Sequence, residues 1–493
     1  MLDRWILWSI VAAYMIVIFV KGVRKARKVG DTDDFLVAGR RVPWFFLFCT
    51  MGATIIGGGY SVGAIGKTYE WGVLMLLVST GGYLHFIFSG LVVAPQFRRA
   101  ELYTVAGYFG HRFGEGSRFL VLILSLLFSV FIVAAQMAAF GTVLAAILPQ
   151  FAEDQSVLMW AILIGGAMVV IYSTAGGLLA VIHTDIYQFI VLLLGFVITL
   201  AFCVPDLLGS WGRVTDIVPA DFFRLEGGKG WLFLITTFLA FLFGETFAPG
   251  YATRYCVGKN VRETRLGIAG VGFFLALFFP AVLFFIALYA RIHFPDIDPQ
   301  QALPKVVQQL NNPIIGGVII GALLMAVMSS ADSALNSSTA IFVKDLFEHQ
   351  LGWKDHGDGK MLRLARICTA ALGCAAILIA VIWPDIINLL LLTYHLWAPA
   401  IILPVCVGVL TKHRSRWLNT RVFITMLTAT LITLLYRGLV FVAKNPDWRP
   451  HLNDTVAEYA LKIDASVIGV TASCVVFFLL SIVPRRRRDI PLG

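Results

Sequence analysis

The chain has 493 residues, of which 59% are hydrophobic and 14% are charged, and its formal net charge is +10. An ordinary soluble protein carries about 25% charged residues, so this composition excludes a soluble globular protein and indicates a polytopic membrane protein. The basic excess does not indicate a nucleic-acid partner, because most Lys and Arg residues lie in short segments between apolar runs. The seven cysteines are scattered without metal-ligand spacing, and we interpret them as small buried hydrophobic side chains.

Apolar segments long enough to cross a bilayer recur along the whole chain. The first, residues 5–23, is too long for a signal peptide and lacks a small-residue cleavage site, so we interpret it as a retained helix. Since a span needs about 20 apolar residues, the sequence predicts an all-α membrane protein with about 13 transmembrane helices. Their predicted bounds are 5–23, 43–66, 73–94, 119–147, 157–173, 178–203, 231–248, 266–290, 313–342, 362–383, 386–410, 420–441 and 465–483.

Lys and Arg residues cluster in alternate connecting segments. Cytoplasmic loops carry an excess of these residues, and the pattern fits that rule when the N-terminus lies outside. The cytoplasmic segments then include the one with Arg254, after the seventh span, and the arginine run 485–488, which would lie beside anionic lipid. We therefore expect a multi-pass protein of the plasma (cell inner) membrane with a cytoplasmic C-terminus.

Two of the predicted spans contain residues that interrupt a helix. Glycines 57–59 lie near the middle of the second span, and glycine is the poorest helix former after proline. Backbone that unwinds at membrane depth is tolerated only where it is buried in protein or lines a wet cavity. The glycines can equally serve only to bring helices close together. In the seventh span, Gly244 and Pro249 interrupt the apolar run 231–250.

The interrupted spans are five spans apart, which is the pattern of a transporter built from two inverted repeats. In such transporters the substrate site lies between the repeats, at the broken helices. This spacing predicts the organisation of the chain. It comprises a leading helix with a basic cytoplasmic loop (1–42), a first repeat (43–203), an extracellular loop (204–230), a second repeat (231–410), and two trailing helices with a basic cytoplasmic tail (411–493).

The ninth predicted span carries an unusual density of hydroxyl groups. Ala326, Ser329, Ser330 and Ser333 are spaced so that they share one face of a helix. Asp332 adds a carboxylate, and hard cations prefer oxygen ligands. The pattern indicates a cation site. Serines that bond back to the preceding turn and allow close helix packing would produce the same pattern.

Other polar residues also fall within predicted spans, where they are costly and indicate function by default. Asp185 could line an inner cation pathway or act as a structural acid near the interface. Glu245 lies at the second interruption, where it could meet a cation or a proton, or cap freed backbone amides. Gln136 lies in the fourth span.

The sequence contains neither the zinc-protease motif nor the nucleotide-binding P-loop. HExxH and GxxxxGK[ST] are both absent, and we do not expect an enzyme. Uphill transport would then depend on an ion gradient. One charge moving through 100 mV supplies about 2.3 kcal/mol, enough for roughly 50-fold accumulation of a solute.

Five motifs between residues 30 and 440 resemble the sodium:solute symporter family. They are DFLVAGRRVPW (34–44), GATIIGGGY (52–60), TVAGYFGHRFG (104–114), YSTAGGLLAVIHTDIYQ (172–188) and AVMSSADSALNSSTAIFVKDLF (326–347). The resemblance implies a leucine-transporter-like 5+5 inverted repeat with one leading and two trailing helices.

The resemblance also implies sodium as the coupled ion. Its ligands would be the carbonyls of Ala53, Ile56 and Ala326 and the hydroxyls of Ser329 and Ser330. Some family members hold a further sodium at a second position. The matching residues of this chain are Thr184, Asp185, Asp332 and Ser333, although the family often has a hydroxyl where this chain has Asp332.

Within the family the motifs are most similar to the choline-transporter branch. The tryptophans that enclose choline there match Ile55, Ile132 and Ala248, so the aromatic box is missing and choline is not the expected substrate. The resemblance places a second set of residues at the substrate. They are Ile55, Gly57, Tyr60, Gln136, Glu245 and Phe247.

The sequence as a whole predicts sodium-coupled secondary active symport of a small polar organic solute by alternating access. One alternative is a proton-coupled carrier that uses Glu245, Asp185 or Asp332. Another is a transporter-like membrane sensor without net transport. The expected partners are a small-molecule solute and the lipid bilayer, without nucleic acid, and the sequence leaves the oligomeric state open.

Overall fold

Helices form nearly all of the described chain, which in this computed structural model comprises residues 2–26, 29–146, 155–353, 357–411, 415–445, 448–449 and 453–482. These ranges contain no β-strand, and an isolated bridge joins Val42 and Gly258. In chain order the α-helices are α1 (Leu2–Ala26), α2 (Thr32–Val37), α3 (Trp44–Ile55), α4 (Ala64–Trp71), α5 (Val73–Phe88), α6 (Ala94–Arg99), α7 (Val105–Phe113), α8 (Glu115–Ala146), α9 (Gln155–Gly209), α10 (Trp211–Ile217), α11 (Trp231–Leu239), α12 (Pro249–Val257), α13 (Val261–His293), α14 (Ala302–Leu310), α15 (Pro313–Ala340), α16 (Asp358–Ile382), α17 (Ile386–Leu410), α18 (Arg416–Lys444), α19 (Asp454–Lys462) and α20 (Ala465–Ile482).

Nine helices of the described chain are long and apolar enough to cross a bilayer, and two bent helix pairs raise this number to as many as 11. One of the nine, α9, would measure about 80 Å if it were straight, against a hydrocarbon thickness of about 30 Å. It bends at Gly177, which has a φ of 53°, a value that residues with side chains rarely adopt. The two halves of α9 therefore correspond to the spans predicted at 157–173 and 178–203. The apolar part of α1 is Trp8–Val17. The total of 13 spans stays a prediction.

Both interruptions predicted from the sequence are present. α3 meets its continuation Gly59–Trp71 at an angle of 53°, and glycines 57 and 58 form the turn between them. In the second case Trp231–Phe247 meets α12 at 46°, and α12 begins at Pro249. Both breaks fall where residues with poor helix propensity stand in an apolar run.

α15 lies at the centre of the bundle. Its residues from Ile319 to Ala340 are all buried, and 83% of its most apolar stretch is inside the protein. α15 packs against α1, α8, α9 and α16, and also against α3 and α12 from the two broken spans. By contrast, α18 and α20 bury only 28% and 22% of the corresponding stretches, as expected for helices that face lipid. The hydroxyl-rich face of the ninth predicted span is therefore an internal surface.

The placement of basic residues departs from the prediction at Arg254. This residue does not lie in a connecting loop but in α12, and its side chain is fully buried. The loop prediction is wrong because the chain continues inside the bundle for a second half-span after the break at Pro249. The charge is tolerated there because Arg254 pairs with Asp185. The arginine run 485–488 lies outside the described residues, and the orientation of the termini stays a prediction.

Candidate functional site

Side chains from α8 and α15 hold the break between α3 and α4 in place. In a continuous helix the Gly58 N–H would bond to the Thr54 carbonyl. Here it donates to Gln136 Oε1 on α8 at 2.7 Å. The Thr54 carbonyl instead accepts from Ser330 Oγ on α15 at 2.7 Å. The unwound backbone and the hydroxyl face of α15 are therefore in direct contact.

Gly57 permits this contact because it has no side chain. A Cβ atom at position 57 would lie 2.5 Å from the Ser330 Cβ and closer still to its hydroxyl. The same hydroxyl lies 3.1 Å from the Ala326 carbonyl, one turn earlier on α15. Oxygen atoms from α3 and α15 thus gather around Ser330.

The other three predicted sodium ligands have different surroundings. Ala53 and Ile56 lie on either side of Thr54 at the end of α3, and both are fully buried. The Ser329 hydroxyl donates to Asp185 Oδ1 on α9 at 2.5 Å. Of the five predicted ligands, Ala326 and Ser330 are therefore in direct contact, and Ser329 connects the site to α9.

A buried charged pair lies next to these oxygens. The Arg254 Nη2 atom lies 3.5 Å from Asp185 Oδ2, and both side chains are fully buried. The guanidinium also donates to Thr50 Oγ1 at 3.2 Å, to Ser333 Oγ at 2.5 Å and to the Gly250 carbonyl at 3.2 Å. Thr50 in turn donates to Asp185. This Arg254 cluster ties α3, α9, α12 and α15 together at one point.

The four residues implied for a further sodium separate into two groups. Asp185 and Ser333 belong to the Arg254 cluster. Asp332 instead faces the first half of α9, where its carboxylate accepts from Ser173 Oγ. Thr184 shares a hydrogen bond of 2.6 Å with the Tyr172 hydroxyl. The separation follows from helix geometry, because neighbouring positions on α15 point about 100° apart.

A cavity of about 110 Å³ lies beside the break and is lined by residues of both interrupted spans. Three predicted substrate positions, Ile55, Tyr60 and Gln136, line it. Ile132 and Ala248, which match tryptophans of the choline box, also line it. The rest of the wall is mostly apolar and aromatic, as is usual for small-molecule sites. Its further aromatic side chains are Trp71, Phe128, Phe241, Tyr251 and Tyr394.

The other three predicted substrate positions do not line this cavity. The space beside Gly57 is occupied by the Ser330 side chain of α15. Phe247 is fully buried among aromatic rings of α6 and α7. Glu245 is fully buried behind the hydroxyls of Tyr60 and Tyr394. These positions can reach a solute in the cavity only through neighbouring residues.

The comparison with known protein families decides which family this chain belongs to. A model described as the sodium:solute symporter family matches residues 35–421. The chain belongs to the sodium:solute symporter family. High-affinity choline transporter 1 of Drosophila melanogaster is 25% identical over 409 residues, which are 79% of this chain and 63% of that protein. A sodium/proline symporter of Staphylococcus aureus is 23% identical over 407 residues, which are 80% of this chain and 78% of that protein.

The match to the fly choline transporter spans less than two thirds of that protein's length. Among solved structures, a Na⁺-coupled sialic acid symporter in its substrate-bound outward-open state aligns with a TM-score of 0.76 at 21% identity, over 99% of each chain. This likeness confirms the predicted all-helical, leucine-transporter-like class of fold. The division into two repeats of five helices stays a prediction.

Sequence reasoning missed four residues that build the site of this family member. They are Thr50, Thr54, Arg254 and Tyr394. Thr50 and Thr54 lie four residues apart on α3, just before the break at Gly57. Helical periodicity alone therefore places them on one face of α3, next to the break. This periodicity is the signal that could have identified them.

Substitution of Gly57 by alanine is expected to destabilise the protein because the added Cβ clashes with Ser330. Overpacking of this kind lowers the free energy of unfolding by about 1–3 kcal/mol. Gly59→Ala is the matched control, since its Cβ would meet only Leu390 Cδ1 at 3.5 Å, an ordinary contact. Thermal unfolding of both purified variants checks this expectation, and equal unfolding midpoints would contradict it.

Proposed function

We propose that this member of the sodium:solute symporter family carries out sodium-coupled symport of a small polar organic solute by alternating access. The observation that carries the proposal is the contact between the Thr54 carbonyl at the helix break and the Ser330 hydroxyl, beside a cavity. Family membership supports the use of sodium. Relatives named for choline and proline transport support a small organic solute.

The sodium ion would bind between the break and α15. Its ligands would be the carbonyls of Ala53, Ile56 and Ala326 and the hydroxyls of Ser329 and Ser330. A hydroxyl that donates a hydrogen bond to a nearby carbonyl or carboxylate still offers an oxygen lone pair to a cation, and hard cations prefer oxygen ligands. The carboxylate behind Ser329 adds favourable electrostatic attraction.

Sodium binding would couple to the conformation through these oxygens. Carbonyl oxygens carry partial negative charge, so those of α3 and α15 would repel one another when brought together, and a cation between them would turn that repulsion into attraction. The ion would therefore hold α3 against α15 and complete the wall of the cavity. The cavity extends to Lys67 and Trp71 on α4, at the end that the predicted orientation places outside. Solute would enter there and leave inward when one repeat rocks against the other.

The second cation position would be occupied by the protein itself. The Arg254 guanidinium lies where a further sodium would meet Asp185 and Ser333. A fixed positive charge there neutralises the Asp185 carboxylate without an ion from solution. We therefore propose that one sodium ion is coupled at the break, and that Asp185 serves the cation pathway through Ser329.

A thermal-shift screen of solutes with and without sodium tests the proposed function. Binding linkage is reciprocal, so a transported solute should stabilise the protein more in sodium chloride than in potassium chloride of equal ionic strength. Proline, choline and sialic acid are the first solutes to test. Solutes that stabilise equally in both salts, across the whole screen, would argue against sodium coupling.

Flux measurements in proteoliposomes separate the alternatives. Uptake of the solute should follow an imposed sodium gradient in the absence of a pH gradient. Uptake that follows only the pH gradient would indicate a proton-coupled carrier. Binding without any uptake under either gradient would indicate a sensor of the same fold.

A further inference from the structure

A second polar cluster lies behind the cavity wall, next to Tyr60 and Tyr394. At its centre is the carboxyl group of Glu245, which is fully buried. The Tyr394 hydroxyl donates to Oε1, and the Tyr60 hydroxyl donates to Oε2 at 3.3 Å. His85 Nδ1 on α5 lies 3.5 Å from the same Oε2.

His85 is an unusual partner for this carboxyl group. Its side chain is also fully buried. The Gly82 backbone, one turn earlier, interacts with the ring, but neither ring nitrogen has a hydrogen bond of good geometry to the described residues. Buried polar groups are normally paired, so an unpaired buried imidazole calls for an explanation. Its Nδ1 atom lies 3.5 Å from Glu245 Oε2, and a proton shared between the two groups would shorten this distance into a hydrogen bond.

The cluster joins the two interrupted spans. Tyr60 lies in the segment Gly59–Gly63 that follows the first break, and Glu245 lies in Glu245–Phe247 at the second. Tyr60 and Tyr394 also line the cavity. A change of charge at Glu245 would therefore act on both breaks and on the cavity wall together.

The ionisable groups around Glu245 are mostly tyrosines. Residues 240–247 pack against α5, α11, α12 and α17. The groups that face the carboxyl from these elements and from the first break are Tyr60, Tyr83, His85, Tyr251, Tyr255 and Tyr394. The other basic groups of α12 and α17 have partners elsewhere: Arg254 binds Asp185, and His395 binds Asp464. His85 is thus the basic side chain that faces Glu245 in the described structure.

We propose that Glu245 and His85 form a proton-binding pair that exchanges one proton during the transport cycle, beyond the sodium coupling proposed above. With the proton bound, the pair is neutral, as the carboxylic acid of Glu245 beside the neutral imidazole of His85. With the proton released to water through the cavity, the pair carries one negative charge that the hydroxyls of Tyr60 and Tyr394 partly stabilise. An uncompensated buried charge is costly, so the deprotonated pair needs the hydroxyls of Tyr60 and Tyr394 more than the protonated pair does. The strength of the contacts that join the two breaks therefore depends on the protonation of the pair.

Infrared difference spectroscopy between acidic and alkaline buffer tests this pair directly in the 493-residue chain, since it detects protonation of a carboxyl group without a solute. The wild type is expected to show a carboxylic-acid band that titrates, and Glu245→Gln is expected to lose it. Asp464→Asn is the matched control, because Asp464 forms a second histidine–carboxylate pair, with His395, at 3.0 Å. That variant should retain the band of the wild type. The same band in wild type and Glu245→Gln, or no titrating band in the wild type, would overturn the proposal.

His85→Gln keeps the proposal testable if Glu245→Gln fails to fold. Loss of the imidazole should shift the midpoint of the Glu245 band by at least about one pH unit, a tenfold change in proton affinity. An unchanged midpoint would overturn the pairing. Sodium-induced stabilisation is recorded in the same samples. Its absence from the wild type would contradict the proposed symport, while the titrating band tests the proton site alone.

Discussion

Replacing Ser329 and Ser330 together with alanine is expected to abolish the stabilisation that sodium gives to this protein. The double variant removes both hydroxyl ligands proposed for the ion, and it removes the contact between Ser330 and the Thr54 carbonyl at the break. A hydrogen bond or ligand contact to a charged group contributes about 1.5–3 kcal/mol, so two contribute about 3–6 kcal/mol. The apparent sodium affinity should fall by more than about 100-fold. The measurement is the unfolding temperature as sodium replaces potassium at constant ionic strength.

The same helix offers a matched control for this double variant. Ser337 and Ser338 are also buried, and both hydroxyls bond back to the Ala334 carbonyl at 2.8 Å. Replacing them with alanine removes the same atoms from α15 two turns away from the break. This control should respond to sodium as the wild type does. An undiminished sodium response in the Ser329/Ser330 variant would remove the proposed ion from this position.

The helix break was accessible from the sequence because its cause is local. Consecutive glycines at 57–59 weaken a helix wherever they occur, and the apolar run around them fixes their depth in the membrane. The hydroxyl face of α15 was accessible for a similar reason, since helical periodicity alone places Ser329, Ser330 and Ser333 on one side. Neither feature depends on which helices become neighbours.

The partners of these residues were not accessible in the same way. Arg254 was assigned to a loop because the charge count treats every arginine at the end of a span as lying outside the membrane. The break at Pro249 bends the chain back into the bundle, so a further half-span follows it. Only the fold shows that Asp185, about 70 residues earlier, lies beside this arginine. Had residues 249–257 been counted as intramembrane, Arg254 would have been a functional candidate by default.

Glu245 shows a related limit of sequence reasoning. Its place at the second break was predicted, but the sequence could not decide between contact with a cation or a proton and the capping of freed backbone amides. The structure puts the hydroxyls of Tyr60 and Tyr394 on the carboxyl group. Tyr394 comes from α17, a helix without any polar motif that relates it to Glu245 in the sequence. Side-chain contacts between distant helices follow from packing, which local patterns do not encode.

Replacing Arg254 with glutamine is expected to change both stability and the number of sodium ions bound. Loss of the guanidinium leaves Asp185 as an uncompensated buried charge, and breaking such a pair costs about 3–5 kcal/mol. The vacated oxygens of Asp185, Thr50 and Ser333 can then accept a second sodium. The variant should therefore be strongly destabilised without sodium and should recover with a steeper sodium dependence, its Hill coefficient rising from about 1 toward 2.

Arg118→Gln is the matched control for the loss of a buried pair. Arg118 Nη2 lies 2.7 Å from Asp345 Oδ1, and the Asp345 carboxylate is fully buried. That pair joins α8 to the segment after α15 and includes none of the proposed sodium ligands. Its removal should lower stability without changing the Hill coefficient. A steeper sodium dependence in this control would show that destabilisation alone alters the sodium response.

The double variant Asp185→Asn/Arg254→Gln separates the charge from the packing. If the unpaired carboxylate causes the instability and recruits the second ion, neutralising it should restore part of the stability and return the Hill coefficient to about 1. A double variant no more stable than Arg254→Gln would show instead that guanidinium packing, and not its charge, holds the four helices together. A Hill coefficient near 2 in the wild type would mean that the arginine and a second sodium occupy this cluster together, so that Arg254 does not replace the ion.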